Sequence, residues 1–291
     1  MLIVGSGEKS ARVVALQILL NRDPAIQPKL VTDGSFGAKT GAAVDAYRER
    51  VMRQSGPKKV ADPTMWQFLL SRAQLQVIEA VDITDPDVVQ ETLPRLSPWT
   101  PTIQFGGMSN GIAQLVTEIR ARAQGARSIM MLSLHGHGAP GLIAVSAGSR
   151  RSTGVDGIAA QAVIALNLLQ MLAPVLSPIA PLMHNFGFIE LHSCRIAEGP
   201  NGRNFVRQLA NIIKAPVRAG VSKQKMHTVY TLVGQTFSGF PGNVTLREWG
   251  LSRDEAVRST GGPPSPFKDA DYPMFKGPGS YFKDSGGHFK G

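Results

Sequence analysis

Two short segments hold the side chains best suited to covalent chemistry. One reads SIMMLSLHGHGAPG, residues 128–141, and carries His135 and His137. The other reads FGFIELHSCRIAEG, residues 186–199, and carries Glu190, His192 and Cys194. Cys194 is the only cysteine in 291 residues, so it is the only thiol available as a nucleophile. Internal disulfides and Cys-rich zinc sites are excluded on the same ground. Thiol catalysis needs a group that takes the sulfhydryl proton and donors for the oxyanion formed on an attacked carbonyl. His137 has the right chemistry for the first task. The backbone N–H groups of Gly138 and Cys194 are candidates for the second, Gly138 because it has no side chain to obstruct a substrate.

Each segment is an apolar run that stops at a His or Cys and then turns through small residues. That pattern predicts two buried strands whose C-terminal ends carry the reactive groups, the end at which open α/β sheets bind their ligands. Neighbouring strands would bring His137 and Cys194 together, with Pro140 and Gly141 forming the turn after His137. Further strands are expected at 75–83, 216–221 and 228–234, and helices at 109–123, 157–173 and 202–214. Alternating strands and helices predict an α/β sandwich with a mainly parallel sheet. Asp82, His135, Glu190 and His192 are candidate substrate-pocket residues. Two other readings compete. A cysteine at a strand end is often a small core hydrophobe, and Glu190 a salt-bridged carboxylate. His135, His137, His192 and Cys194, spaced by two on strands, would also suit tetrahedral zinc, but a zinc-capped thiol could not attack. The reading adopted therefore has no metal.

The first 72 residues have a different period. KSARVVALQILLNR (9–22), a stretch from Ala38 to Arg53 and a third from Pro63 to Arg72 follow helical spacing, with Ser10 as N-cap of the first. Asp33-Gly34 suits a tight turn between the first two. A small three-helix bundle is the expectation for 1–72, an α/β domain for 73–258, and a flexible Gly/Pro-rich tail for 259–291. That tail repeats Phe-Lys at 267, 275, 282 and 289.

Both parts resemble known families. VVALQILLN, LVTDGSFGAKTGAAVDAYR and VADPTMWQFL are similar to the type 1 peptidoglycan-binding domain, through Gln17, Asp33, Gly34, Phe36, Gly37, Thr40, Tyr47 and Trp66. The resemblance implies binding to cell-wall peptide or glycan. LSLHGHGAPG and IELHSCRIAEGPNGRNFVRQLANIIKAPVRAG resemble the caspase-like cysteine peptidases of the gingipain, separase and CHAT type. His137 precedes Cys194 by 57 residues, and caspases place the His about 50 residues before the Cys. The resemblance implies a caspase-like α/β/α sandwich and a His137–Cys194 dyad, with no cofactor but with calcium activation in some relatives. The position two before the nucleophile, Gln in caspases, is His192 here, so the resemblance gives no cleavage specificity.

The leading expectation is a cysteine endopeptidase targeted to cell wall, with a protein substrate. The alternatives are a non-catalytic component of a phage-like or contractile injection particle, docked through the Phe-Lys tail, and a cell-wall peptide hydrolase. A net charge of +10 favours anionic partners, but no nucleic-acid motif accompanies it. No apolar run is long enough for a membrane span, and the N-terminus does not read as a Sec signal. Synthesis in the cytoplasm and release by a non-classical route or particle is the matching expectation.

Overall fold

The computed structural model describes residues 2–84, 86–106, 111–145, 163–224 and 230–259. The N-terminal segment opens with a short strand, β1 (Val4–Gly5), and helix α1 (Ala11–Asn21). The α1 sequence is apolar around its whole circumference, and every residue from Ala11 to Leu20 is buried; such a helix must be enclosed on all sides. Ser10 occupies the N-cap position, but its hydroxyl donates to Glu8 Oε1 at 2.7 Å and does not cap the helix. Helix α2 (Ala38–Tyr47) runs on through a π-helical turn to Met52. After β2 (Val60–Ala61), which pairs antiparallel with β1, helix α3 (Pro63–Ala73) begins at its proline. Asp62 caps it by accepting from the Met65 N–H at 2.9 Å.

A six-stranded sheet follows. Its members are β3 (Gln76–Asp82), β4 (Thr102–Phe105), β5 (Ile129–His135), β9 (Met183–His192), β10 (Val217–Gly220) and β11 (Thr236–Gly239). Their spatial order is β11-β10-β9-β5-β3-β4, and only β11 runs antiparallel to its neighbour. After β5 the chain makes a small three-stranded sheet from β6 (Gly138–Ala139), β7 (Leu142–Ala144) and β8 (Val163–Ala165). The helices are α4 (Pro86–Thr92), α5 (Gly111–Arg122), α6 (Leu169–Leu176), α7 (Gly199–Ile213) and α8 (Leu246–Ser259).

The register divides the sheet into two faces. One carries Ile78, Leu132, Ile189 and Val217, then Ala80, Leu134, Leu191 and Ala219, and packs with α5, α6 and α7 in one hydrophobic cluster. The other carries Val77, Met131 and Phe188, which share a cluster with α1, α2, α3 and Trp249 of α8. The result is an α/β/α sandwich in which the N-terminal bundle and the C-terminal helix together form one helical layer. α8 lies close on that bundle. A Cβ on Gly250 would come within 2.1 Å of the Thr32 carbonyl oxygen, and the Thr32 hydroxyl donates to Gly250 O at 3.2 Å.

The expected strands at 75–83, 128–134, 186–193 and 216–221 correspond to β3, β5, β9 and β10. The strand expected at 228–234 is not found over 230–234; the antiparallel partner of β10 is β11, at 236–239. Residues 230–233 are instead held by side chains, with Arg12 donating to Tyr230 O and Gln224 bonded to both Val233 N and Val233 O. The helix expected at 157–173 begins outside the described residues. Val163–Ala165 is strand, because it pairs with β7, and α6 starts only at Leu169. The Phe-Lys tail also lies outside the described residues. Among those described, no helix is long and apolar enough to cross a membrane.

Candidate active site at two strand ends

β5 and β9 are adjacent and parallel, with His135 level with His192. The loops that leave them, carrying His137 and Cys194, therefore emerge side by side at the C-terminal end of the sheet. Two contacts fasten them. The Gly141 N–H donates to Ile196 O at 2.9 Å, and Gly138 lies directly against the Cys194 loop. A Cβ built on Gly138 would stand 2.8 Å from Ser193 Cβ, 2.9 Å from Ile196 Cγ1 and 3.0 Å from Cys194 O. Glycine at 138 is thus required by the close approach of the two loops.

Pro140 and Gly141 turn the chain between β6 and β7 as expected; Gly141 has φ 76, which suits the third position of a type II turn. In this hairpin Ala144 N–H donates to His137 O at 2.8 Å. Residues 137 and 144 thus form a hydrogen-bonded pair and Gly138 with Ile143 a non-hydrogen-bonded one. The ladder with β7 therefore does not use the Gly138 N–H. His137 and Cys194 are both partly exposed. The Cys194 thiol lies 3.6 Å from Gln224 O, to which it donates. The loop behind it is tied to β10 and its extension: Arg195 N–H donates to Ser222 O and Ala197 N–H to Gly220 O, each at 3.0 Å.

Below the tips, on the face turned toward the bundle, lies a buried polar layer. Glu79, Ser133, Glu190 and Arg218 stand level across β3, β5, β9 and β10. One step toward the tips are His135 and His192, stacked with ring centroids 4.7 Å apart and planes at 20°. His135 Nε2 is 2.8 Å from Glu79 Oε2, and His192 Nε2 is 3.1 Å from Glu190 Oε2. Glu190 is gripped from the other side by Arg12 of α1, with Nε at 2.6 Å from Oε1 and Nη2 on Oε2. Arg218 Nη1 sits 3.6 Å from Glu190 Oε1 and 3.3 Å from Glu8 Oε1. A buried charge is tolerated only when it is paired and hydrogen-bonded, and this array supplies the pairing.

Burial alone would raise the Glu190 pKa, but Arg12, the His192 hydrogen bond and Arg218 hold the carboxyl well below the usual range. Burial works the same way on Glu79, and His135 outweighs it, so that carboxyl too is depressed. Burial pushes His192 down to about 4, with the Glu190 hydrogen bond opposing. His192 is therefore neutral at pH 7, and facing a carboxylate it must carry its proton on Nε2 and donate it to Glu190.

Of the four residues expected to line a pocket, Asp82, His135 and Glu190 are buried, and the His192 side chain is only 6% exposed. All lie under the tips rather than on an open surface. Asp82 Oδ1 closes a turn by accepting from Thr84 N (2.9 Å) and Thr84 Oγ1 (2.6 Å). The Nε2 atoms of His135 and His192 face Glu79 and Glu190. Among the described residues no set of three or more His, Cys, Asp or Glu side chains is grouped to hold a metal ion. A cleft of about 810 Å³ lies at the opposite end of the strands, between Gln74, Trp99, Arg127 and His184; neither His137 nor Cys194 reaches it.

In the bundle, Gln17, Gly34, Phe36, Thr40, Tyr47 and Trp66 are buried, while Asp33 is half-buried and Gly37 exposed. The Gln17 amide holds the turn together: it accepts from Gly34 N–H at 3.0 Å and donates to Asp33 Oδ1 and Ser35 O, each at 3.1 Å. These six residues make the fold. Sequence reasoning missed Arg12, Glu79, Arg218 and Glu8. The available signal was a charge set inside each of three apolar runs: Arg12 in α1, Glu79 alongside Asp82 in LQVIEAVDI, and Glu190 in FGFIELHS. No protein-family model, curated protein or solved structure matches the chain.

Proposed function

We propose that the chain is a caspase-like cysteine endopeptidase with His137 and Cys194 as its catalytic pair. The observation that carries the reading is the fastening of the two loops by the Gly141–Ile196 hydrogen bond and the Gly138 contact, which brings the only thiol and a partly exposed imidazole to the same end of the sheet. In this mechanism Cys194 Sγ attacks the scissile carbonyl carbon while His137 takes the thiol proton. The carbonyl oxygen, now anionic, is met by the N–H groups of Gly138 and Cys194. The C–N bond then breaks, His137 returns the proton to the leaving amine, and water hydrolyses the thioester to regenerate the thiol. No metal takes part in these steps; assay with and without calcium tests the activation that the caspase-like resemblance implies.

Cell-wall targeting by the bundle is the second part of the proposal. It is supported by the motif and by the positive charge. With six motif residues buried, the contact surface would be the rim at Asp33 and Gly37 and the basic side chains around it. Co-sedimentation with purified sacculi tests this separately.

The catalytic test is a peptide-library screen of wild type against Cys194→Ala and His137→Ala. Both variants are expected to fold and to lose turnover. Cleavage by Cys194→Ala at the wild-type rate rejects the mechanism, and a folded wild type whose Cys194 resists a thiol-reactive peptide probe assigns the chain to the non-catalytic binding class.

A further inference from the structure

We propose that Arg12, on the first helix of the N-terminal bundle, is a positioning residue for the strand tips that carry His137 and Cys194. The inference rests on the peptidase reading for its catalytic meaning, but the geometry behind it stands alone.

Arg12 grips both oxygens of Glu190 in the forked arrangement that fixes a carboxylate in direction as well as in charge. It is itself fixed by a second bond, from Nη2 to Tyr230 O at 2.9 Å. The carboxylate so held accepts from His192, two residues before Cys194. The His192 ring stacks on His135, two residues before His137, and His135 is held in turn by Glu79. A continuous series of oriented groups thus runs from α1 through Glu190, His192 and His135 to Glu79, crossing from β9 to β5 just beneath the two loops. The groups facing it are Arg12 and Glu8 from the N-terminal segment, Arg218 from β10 and Glu79 from β3.

Charge neutralisation alone does not account for this arrangement. Arg218 stands level with Glu190 and offers a cation, yet it sits 3.6 Å from one oxygen and divides its charge with Glu8. It can offset the charge without orienting the carboxylate. Buried ion pairs are weak contributors to net stability, and a well-packed apolar pair often does as well. What the Arg12–Glu190 fork adds is a defined direction for the His192 ring, and through the stack a defined spacing of the tips.

Cys194, as the sole thiol, reports its own environment. The experiment measures the rate of iodoacetamide alkylation against pH on the full chain, for wild type, Arg12→Lys, Glu190→Gln, the double variant Arg12→Met/Glu190→Gln and Arg218→Gln, with peptide kcat and KM in parallel. Arg12→Lys keeps the charge and loses the fork. The double variant removes both charges, so no uncompensated ion remains to prevent folding. A positioning role predicts a displaced alkylation profile and a fall in kcat of about tenfold or more at similar KM, the scale on which a misplaced reacting group loses rate, in both Arg12→Lys and the double variant. Arg218→Gln is expected to stay close to wild type. If the folded double variant reproduces the wild-type profile and kcat, the role is structural and the proposal is overturned. Failure of the peptidase reading looks different. His137→Ala would then leave the alkylation profile unchanged and wild type would cleave nothing, while the Arg12 variants would still show whether the tip moves.

Discussion

Gly138→Ala tests the close approach of the two loops directly. The added methyl would stand 2.8, 2.9 and 3.0 Å from Ser193 Cβ, Ile196 Cγ1 and Cys194 O, where non-bonded carbons sit at about 3.5–4.0 Å. Ile196 is fully buried and Ser193 nearly so, and Cys194 O is backbone, so none of the three can swing away as a flexible side chain would. Relief requires the loops to part by roughly 0.5–1 Å, and overpacking of this kind costs about 1–3 kcal/mol. For a chain of this size the Tm should fall by about 2–4 °C for each kcal/mol. A displacement near 1 Å between reacting groups costs on the order of 100-fold in rate. Urea denaturation gives the stability, and alkylation of Cys194 with peptide cleavage gives the site. Gly5→Ala is the control, because its Cβ would meet Val60 Cγ2 at an ordinary 3.7 Å; it should change stability by no more than about 0.5 kcal/mol. If Gly138→Ala matches wild type in stability, alkylation and cleavage, the loops are not in the contact described and the argument for a shared site is lost.

Gln17→Ala removes the acceptor for the buried Gly34 N–H, which is left unpaired, and the donor to Asp33 and Ser35, whose carbonyl keeps the Gly37 N–H; it should destabilise the fold by about 1–3 kcal/mol in urea titration. Gly250→Ala drives a methyl into the Thr32 carbonyl; the expected cost is about 1–3 kcal/mol, with the Cys194 alkylation profile of the folded variant unchanged. The folded pKa of His192 lies near 4, below an unfolded value near 6.5, so on acidification the unfolded chain binds the proton first. Stability should therefore decline from about pH 6.5 toward 4, by up to about 3 kcal/mol from this ring, whereas the depressed carboxyl of Glu190 contributes stability that is lost only at lower pH. Folded His192→Asn should show a shallower decline across that window than wild type, and parallel pH curves would reject the assignment.

The strands that position the site were legible because β3, β5 and β9 are long apolar runs, and because each of the last two ends at a residue whose chemistry marks the end. β4 and β11, four residues each, are too short for a period to register; they are strands only because a neighbour offers a ladder. The location of α1 was harder to read. The helical spacing of Val13, Leu16, Leu19 and Leu20 marks a helix but not its place in the fold, although Val14, Ala15 and Ile18 on the other sides make it apolar all round. Arg12 in such a helix could have been recognised as a buried charge in need of an acid. Which acid no local pattern can tell, since the partner lies 178 residues away. The buried Gln17, Phe36, Tyr47 and Trp66 show the same limit from the other side: a motif records what a fold needs as readily as what a ligand needs.

That separation of 178 residues bears on how the protein comes to be made. The first helix leaves the ribosome long before the strand it must cover, and the eighth, which also packs on it, arrives later still. Until then one side of the sheet and the part of α1 that meets β9 and α8 remain exposed apolar surface, and contacts this far apart in sequence form slowly because the intervening chain must first be closed. Synthesis should therefore pass through a long interval in which most of the polypeptide exists but its interior cannot close, an interval in which a chaperone would bind and a protease would cut.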